Sequence, residues 1–359
     1  MTYRVRACLD LNAVQHNIDC IRRKSPNTKL VAVIKANAYG HGLGSIATTL
    51  AGMVDEFAVA STEEAVELRQ IGVAEPIWIL SDFSPSSDLE VLGPFDLQPV
   101  IHSADQIDAL EHLNTPVTAH LKIDSGMGRL GFRVDELKSA LERLSTLRHV
   151  NIGVLLSHLA CADDSVHPAT KLQTTCFDQL TNHLNYDRSL ANSAGVFAHP
   201  ETHFDVVRSG IAIFGVSPLM AKCGKDLGLK PVMTLISKVL SVKKLFKGQS
   251  VGYGANFTCA KDTTMAIVSC GYGDGYPRHA KNGTPVLVRD QIAPLIGTIS
   301  MDTLSIDVSE IEGVVPGDPV TLWGRGLPIE NVARQSDTIA YELLCGLSNR
   351  VRFEELTDG

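Results

Sequence analysis

The run Val31-Ala-Val-Ile-Lys35-Ala-Asn-Ala-Tyr39-Gly-His-Gly42 joins an uninterrupted apolar segment to a lysine and a glycine-containing turn. Such a segment predicts a buried strand of the kind found in parallel sheets. Lys35 then stands at the carboxyl end of the strand, where apolar surroundings disfavour its charged form. A neutral amine there can act as a nucleophile and form a Schiff base. The alternative is that the lysine only extends to water.

Eight apolar segments of this kind alternate with helical patterns between residues 29 and 208. The patterns at 61–71, where Glu64 stands in the capping-box position to Ser61, and at 103–113 are typical of helices. Alternating strands and helices predict a parallel sheet, and eight strands favour a (β/α)8 TIM barrel, although a doubly wound sheet uses the same alternation. The predicted strands are 30–35, 57–60, 77–80, 97–101, 117–124, 154–158, 189–193 and 204–208.

The pattern changes after about residue 230, where helical periodicity largely disappears. A Gly- and Lys-rich segment and Pro231 precede the change and indicate a hinge. We therefore predict an α/β barrel over residues 1–230 and a mainly β domain over 231–359. The β-rich runs of the second domain are 239–242, 266–269, 284–288, 294–299 and 319–323.

Composition excludes several classes of function. The net charge of -8 gives no basic footprint for nucleic acid. No segment approaches the roughly 18 apolar residues that span a membrane, and the N-terminus lacks a signal-peptide pattern, so we expect a cytoplasmic protein. The eight cysteines form no CxxC pair and no Cys/His cluster, which argues against a metal site and against a disulfide framework. Small molecules are the expected partners.

Polar residues stand where barrel enzymes carry their chemistry, at the carboxyl ends of the strands. They are Lys35 at the first strand, Lys122 and Arg129 at the fifth, His158 at the sixth, Ser193 at the seventh and Arg208 at the eighth. Taken singly, a strand-end histidine or arginine is more often structural, but together they predict one pocket. The loops after the seventh and eighth strands often bind phosphate, and here they contain Asn192, Ser193, Gly210 and Ile211.

Six motifs follow one another along the chain: VIKANAYGHG at 33–42, KIDSGMGRLG at 122–131, VVRSGIAIFG at 206–215, VGYG at 251–254, CGYGDGYPR at 270–278 and SMD at 300–302. In this order they resemble the motifs of bacterial alanine racemases, which are isomerases that use pyridoxal 5'-phosphate (PLP) and have a TIM-barrel domain. The resemblance implies that a homodimer interconverts L-alanine and D-alanine. The physiological role would be either to supply D-alanine as a peptidoglycan precursor or to catabolise alanine. Either role would use the same reaction.

The resemblance also assigns roles around PLP. Arg208 would face the pyridine nitrogen, and because arginine only donates hydrogen bonds, that nitrogen would stay unprotonated and the ring would be a weaker electron sink. Arg129 would meet the phenolate oxygen and the substrate, and Lys122 is carbamylated in some members, which would orient Arg129. The implied cofactor-binding residues are Lys35, Tyr39, Arg129, His158, Asn192, Ser193, Arg208, Gly210 and Ile211.

Racemisation needs proton carriers on both faces of Cα, and the resemblance names Lys35 and Tyr253, the latter from the other subunit. The free pKa of tyrosine, about 10, makes it a poor base unless its surroundings lower that value. The resemblance further places the substrate carboxylate at a backbone N–H near Met301 and Asp302, and places Tyr272 at the substrate entrance. The active sites would be shared across the dimer, and monomers would be inactive.

The chain departs from the family pattern at Thr298, where an arginine is common, and at Asn349, where some members carry a tyrosine. We therefore expect some activity on serine. Two other functions stay open. A PLP-binding carrier protein of this barrel type would lack the β domain, and a decarboxylase of basic amino acids would need a cysteine proton donor, for which Cys259 and Cys345 are candidates.

Overall fold

The computed structural model describes residues 4–84 and 86–356, which form two compact units. The barrel unit comprises Gln15–Ile213 and Pro218–Lys222. The β unit comprises the described parts of Met1–Val14, Phe214–Ser217 and Cys223–Gly359.

Eight parallel strands form the nearly closed sheet of the barrel unit, and the first seven pair in the order in which they follow along the chain. The eighth strand also pairs with the first. It meets the seventh through hydrogen bonds from Asp205 N to Arg188 O at 3.1 Å and from Arg208 N to Ala191 O at 3.0 Å. The predicted (β/α)8 barrel is confirmed. The strands are Lys29–Val33, Glu56–Ser61, Ile77–Asp82, Leu97–Ile101, Val117–Lys122, Val150–Leu156, Asp187–Ser189 and Val206–Ser209.

Local sequence signals explain the helices that flank these strands. The helix Thr62–Ile71 begins at Ser61, whose hydroxyl accepts a hydrogen bond from Glu64 N at 3.4 Å, and ends at Gly72 with a left-handed φ of 102°. Its buried side chains form one stripe that faces the sheet. The helices of the chain as far as residue 198 are Leu11–Lys24, Leu43–Leu50, Thr62–Ile71, Leu89–Leu92, Ala104–Glu111, Leu137–Thr146, Pro168–Thr181 and Ser193–Ala198.

The seventh strand lies earlier than the sequence predicted. It covers Asp187–Ser189, whereas the predicted segment was 189–193. Asn192 caps the next helix by accepting a hydrogen bond from Gly195 N at 3.0 Å, so Ser193 begins a helix and does not end a strand. The cap signal of the asparagine therefore outweighs the apolar run before it.

The β unit is built on a large mixed sheet and two short helices. Its longest strand, Met233–Leu245, pairs with three others. The predicted run at 294–299 is largely irregular, because the strand there is Gln291–Pro294. The strands are Arg6–Leu9, Met233–Leu245, Ser250–Val251, Phe257–Thr258, Thr263–Val268, Pro285–Val288, Gln291–Pro294, Leu304–Asp307, Pro319–Trp323 and Arg352–Glu355, and the helices are Ile329–Gln335 and Ala340–Cys345.

The first strand of the chain belongs to the β unit. Arg6–Leu9 runs antiparallel to Met233–Leu245 and parallel to Arg352–Glu355. A single boundary at residue 230 places this strand with the barrel. Its partners lie more than 200 residues away along the chain, so neither periodicity nor composition near the N-terminus indicates which sheet it joins.

Candidate active site

Lys35 begins an unusual turn directly after the first barrel strand. The strand ends at Val33, Lys35 is half-buried, and residues 36–39 have φ between 52° and 54°. This is one turn of left-handed helix made without glycine, a conformation that costs about 1–2 kcal/mol per residue. The surrounding structure must therefore hold the turn in place.

Hydrogen bonds and burial provide this support. The carboxylate of Glu64 accepts hydrogen bonds from Ala36 N at 2.7 Å and from Ala60 N at 2.9 Å, so it ties the turn to the second strand. Within the turn, Asn37 Oδ1 accepts a hydrogen bond from Leu43 N at 2.8 Å. Tyr39 is buried, with an exposed fraction of 8%. The turn therefore presents Lys35 from a fixed backbone.

Tyr39 and Ser193 form a small cradle with Gly210. A Cβ at Gly210 would overlap the Tyr39 hydroxyl, so only glycine allows the two to meet. Ser193 Oγ accepts a hydrogen bond from Gly210 N at 2.9 Å and lies 3.1 Å from Ser209 Oγ. Ile211 follows and is buried. Backbone N–H and hydroxyl groups that converge in this way are suited to a phosphate.

Arg208, two residues before Gly210, is a buried cation with several hydrogen bonds. Its guanidinium donates hydrogen bonds to Ser189 Oγ at 2.5 Å and to Ser157 O at 2.6 Å. Burial lowers the pKa of Arg208 to about 10, so the group remains charged at neutral pH. An exposed arginine would move among several conformations, whereas these two partners fix the direction of the guanidinium.

Four cationic side chains act on one region at the mouth of the barrel. Burial, followed by the charges of Arg208, Arg129 and Lys35, lowers the pKa of Lys122 to about 8. Burial and the same four cations lower the pKa of His158 to about 3, so this histidine is neutral. Clustered cations repel one another unless an anion lies among them, so the site is suited to a negatively charged ligand.

The loop after the fifth strand is organised by Asp124. Its carboxylate accepts hydrogen bonds from the N–H groups of Gly126 at 2.9 Å, Met127 at 2.8 Å and Gly128 at 3.0 Å. Partial burial raises the pKa of Asp124, but these N–H groups outweigh burial and lower it overall. Arg129 extends from this loop and is exposed.

The remaining predicted site residues belong to the β unit and are exposed on this chain. The exposed fractions are 69% for Tyr253, 40% for Tyr272 and 52% for Met301. Tyr272 N donates to Ser300 O at 3.1 Å, so the Tyr272 and Met301 loops lie side by side. Within the described residues the Met301 N–H has no acceptor, so it can serve a ligand.

Ion pairs hold the loop that contains Asp302. Its carboxylate accepts a hydrogen bond from Arg350 at 2.6 Å, and this arginine lowers the pKa of Asp302. Arg4 and Arg350 also pair with Asp274, whose side chain is only 1% exposed. Asp302 is therefore engaged in a charge network within its own chain, and Met301 is the member of the pair that is open to a ligand.

Sequence reasoning missed the groups that support these residues. Ser157 and Ser189 hold Arg208, and Asp124 shapes the Arg129 loop. Glu64 was noticed only as a helix cap, although its carboxylate reaches the Lys35 turn. Asp124 has a visible signal, because an aspartate before a Gly-x-Gly run is typical of a turn that it caps. Ser157 and Ser189 have no such signal in the sequence.

The fold and the cation-lined strand ends define a barrel enzyme joined to a mainly β unit. Two family models match it, described as alanine racemase, N-terminal domain, over residues 9–218 and alanine racemase, C-terminal domain, over residues 232–354. The chain belongs to the alanine racemase family, and its enzymatic activity is the racemisation of alanine. The resemblance seen in the sequence is confirmed.

Full-length relatives agree with this assignment. The alanine racemase of Thioalkalivibrio sulfidiphilus is 46% identical, with 99% of each chain covered. The biosynthetic alanine racemase from Pseudomonas aeruginosa has a similar structure, with a TM-score of 0.96 at 41% identity over 99% of this chain and 100% of that one. The alanine racemase from Bartonella henselae, solved with covalently bound pyridoxal phosphate, gives a TM-score of 0.91 at 30% identity over 99% and 100%.

These similarities remove the two alternatives. The C-terminal model covers the β domain that a carrier protein would lack, and the similar proteins are racemases rather than decarboxylases. In the described part of the chain, no helix has the length and apolar character of a membrane span.

Proposed function

We propose that this racemase works with PLP bound at the barrel mouth and with two proton carriers, Lys35 and Tyr253 of a second subunit. The observation that carries the proposal is the meeting of four cations with a cradle of N–H and hydroxyl groups at one end of the barrel. When bound, PLP supplies a conjugated ring that withdraws electron density from the substrate Cα.

The cradle suits the phosphate group of this cofactor. Ile211 would offer its backbone N–H, and Gly210 would offer its own by giving up the hydrogen bond to Ser193 Oγ. Tyr39 and Ser193 would offer hydroxyls. Asn192 would act indirectly, because it caps the helix that begins at Ser193. The close approach of Tyr39 to Gly210 supports this fit, since a larger residue at 210 would displace the tyrosine. A phosphate would also offset the repulsion among the four cations.

Arg208 would set the electronic state of the ring. With a pKa of about 10 it stays protonated and can only donate a hydrogen bond to a ring nitrogen. The nitrogen would then remain unprotonated, which favours return of the proton to Cα. The neutral His158 would stack on the ring face without adding charge.

Lys122 would be carbamylated and would orient Arg129 towards the cofactor oxygen and the substrate. Only the neutral amine reacts with CO₂, and a pKa lowered to about 8 provides a sizeable neutral fraction near physiological pH. The carbamate would also replace one of four clustered cations with an anion. Intact-mass measurement with and without bicarbonate tests this step, because the mass difference should vanish in Lys122→Ala.

Two proton carriers are needed because a single base returns most protons to the face from which it took them. Lys35 would take and return the Cα proton on one face, and the hydroxyl of the partner's Tyr253 would act on the other. The 69% exposure of Tyr253 on its own chain supports a role towards a second copy. A homodimer would therefore be the active form.

The substrate carboxylate would bind the free N–H of Met301, beside Tyr272 at the entrance. Asn349 would leave room for a hydroxyl, so serine would be a second, slower substrate. The physiological role would be to supply D-alanine for peptidoglycan or to catabolise alanine, and D-alanine dependence of a strain lacking the enzyme distinguishes the two.

The assignment of Lys35 is tested by borohydride reduction of the holoenzyme followed by peptide mapping. We expect the reduced cofactor on the peptide that contains Lys35. A label on Lys122 would overturn the assignment, because Lys122 is the other lysine in the cation cluster.

A further inference from the structure

Tyr253 differs from the barrel residues in how its position is controlled. Its side chain is 69% exposed, so little packing within its own chain fixes the hydroxyl and the position of the backbone matters most. One position of that backbone is strained: Gly252 and Gly254 adopt their φ of 68° and 74° readily, whereas Ala255 has a φ of 49° that a residue with a Cβ rarely takes. The hydrogen bond from Ala255 N to Gly252 O is long, at 3.3 Å. Contacts outside the turn must therefore maintain its shape.

Two side-chain amides and a hydroxyl make these contacts. Asn256 Nδ2 donates to Thr298 Oγ1 at 2.8 Å. Asn282 uses both ends of its amide, since its Nδ2 donates to Asn256 O at 3.2 Å and its Oδ1 accepts from Gly297 N at 2.7 Å. The Tyr253 turn is thus tied twice to the turn at residues 297–298.

The turn at 297–298 is a firm support. Gly252 and Thr298 form a β-bridge, and a Cβ at Gly297 would lie 2.8 Å from Val251 O, so the two backbones touch without an intervening side chain. Val251 and Ile296 belong to one buried apolar cluster beneath them. The polar ties therefore connect an exposed turn, strained at Ala255, to a packed base.

We propose that Asn256, Asn282 and Thr298 are positioning residues that fix the Tyr253 hydroxyl for proton transfer. This inference rests on the proposed role of Tyr253. It also gives a function to Thr298, which stands where an arginine is common in the resemblance. Arginine has no acceptor for the Asn256 amide N–H, whereas a threonine hydroxyl has one.

The ties should matter more for geometry than for global stability. All three hydrogen bonds that make them are exposed or only partly buried on this chain, and an exposed hydrogen bond adds little to folding because water replaces it. Catalysis responds differently, because a small displacement of a proton carrier strongly lowers the rate of transfer. A loss of turnover without a loss of stability is therefore the signature of positioning.

Thr298→Val tests the proposal, because valine keeps the shape and removes the hydroxyl. In the holoenzyme we expect kcat to fall about three- to tenfold, with KM and the thermal midpoint nearly unchanged. Exchange of the Cα proton in deuterated solvent should slow mainly for the enantiomer whose proton Tyr253 handles. Thr298→Ser should restore both kcat and the rate of Cα-proton exchange. Equal slowing for both enantiomers, or no rescue by serine, would overturn the inference.

A matched control comes from the barrel unit, where Asn151 Nδ2 donates to Thr118 Oγ1 at 3.4 Å in an exposed pair of the same chemistry. Thr118→Val should leave kcat unchanged. Asn282→Ala should lower kcat with the same enantiomer bias as Thr298→Val, and wild-type turnover in both variants would overturn the proposal.

The Tyr253→Phe background separates this inference from the proposed function. If Thr298 acts through the tyrosine hydroxyl, adding Thr298→Val to Tyr253→Phe should lower kcat no further. If Tyr253→Phe alone racemises at the wild-type rate, the proposed function of Tyr253 fails. If Tyr253→Phe is impaired and Thr298→Val costs the same with or without the tyrosine hydroxyl, only the positioning role fails.

Discussion

The Lys35 turn and the Tyr253 turn both contain residues with positive φ, yet they are stabilised in different ways. Residues 36–39 adopt positive φ without any glycine and include the buried Ala38 and Tyr39. The Tyr253 turn relies on Gly252 and Gly254 and is exposed. Burial can enforce a costly conformation, whereas an exposed turn needs residues that adopt it readily. Changes at the Lys35 turn should therefore abolish activity, and changes at the Tyr253 turn should reduce it.

The largest effect on activity should follow from removing the amine of Lys35. Lys35→Ala should abolish racemisation and the visible absorbance of bound cofactor, because no other amine would reach the cofactor carbonyl. The measurements are D-alanine formation from L-alanine and the absorbance spectrum. Lys29→Ala is a matched control at the start of the same strand, where Lys29 pairs with Asp187 at 2.8 Å. Activity retained in Lys35→Ala would contradict the assignment.

The next largest effect on activity should follow from a change in the Tyr253 turn. Tyr253→Phe should keep the cofactor and lower turnover in both directions by at least about 100-fold, the usual contribution of a positioned proton carrier. Solvent-deuterium exchange should persist for one enantiomer of alanine and nearly vanish for the other, because Lys35 still serves its own face. Equal exchange from both enantiomers would remove Tyr253 as the second base.

Combining these two variants shows whether the two turns cooperate across subunits. Co-expressed Lys35→Ala and Tyr253→Phe chains can form a heterodimer with one intact pair of proton carriers. Activity should then return, although each variant alone lacks it or nearly does. Separately purified homodimers, mixed without exchange of subunits, are the control. A heterodimer without activity would mean that both groups act within one chain.

A smaller effect should follow from removing hydrogen bonds that support the Lys35 turn while Lys35 itself is kept. Glu64→Ala removes the acceptor of Ala36 N, which is exposed and can bind water instead, and of Ala60 N, which is partly buried; an unpaired buried N–H costs about 1–3 kcal/mol. We expect cofactor affinity to fall about tenfold, with a measurable loss of free energy of unfolding. Glu63→Ala removes an exposed glutamate from the same helix turn and should change neither quantity.

Much of the structure around the Lys35 turn could be predicted from the sequence, but little of what stabilises the Lys35 turn or the Tyr253 turn could. The apolar run and strand-end lysine are local features, so the first strand, the motif and the barrel were predictable. Four successive left-handed residues without glycine carry no local signal. The contact of Asn256 with Thr298 joins residues 42 positions apart and depends on the finished sheet. Short helices such as Ala340–Cys345 span too few residues to show a period.

The smallest expected effect concerns Asn349, which lies in an exposed turn of the β unit. Its neighbour Ser348 donates a hydrogen bond from Oγ to Gly273 O at 2.8 Å, and Arg350 binds Asp302. Asn349 is therefore held beside the loops of Tyr272 and Met301. Its amide can accept or donate a hydrogen bond to a substrate hydroxyl.

A pocket cannot strongly reject a substrate that only adds a hydroxyl, so alanine should be preferred to serine by about 10–100-fold. Asn349→Tyr fills the space and removes the amide, and should lower the ratio of kcat/KM for L-serine to that for L-alanine about tenfold. Asn349→Ala keeps the space and should lower it less. Equal ratios in all three proteins would show that Asn349 does not contribute to the choice between alanine and serine.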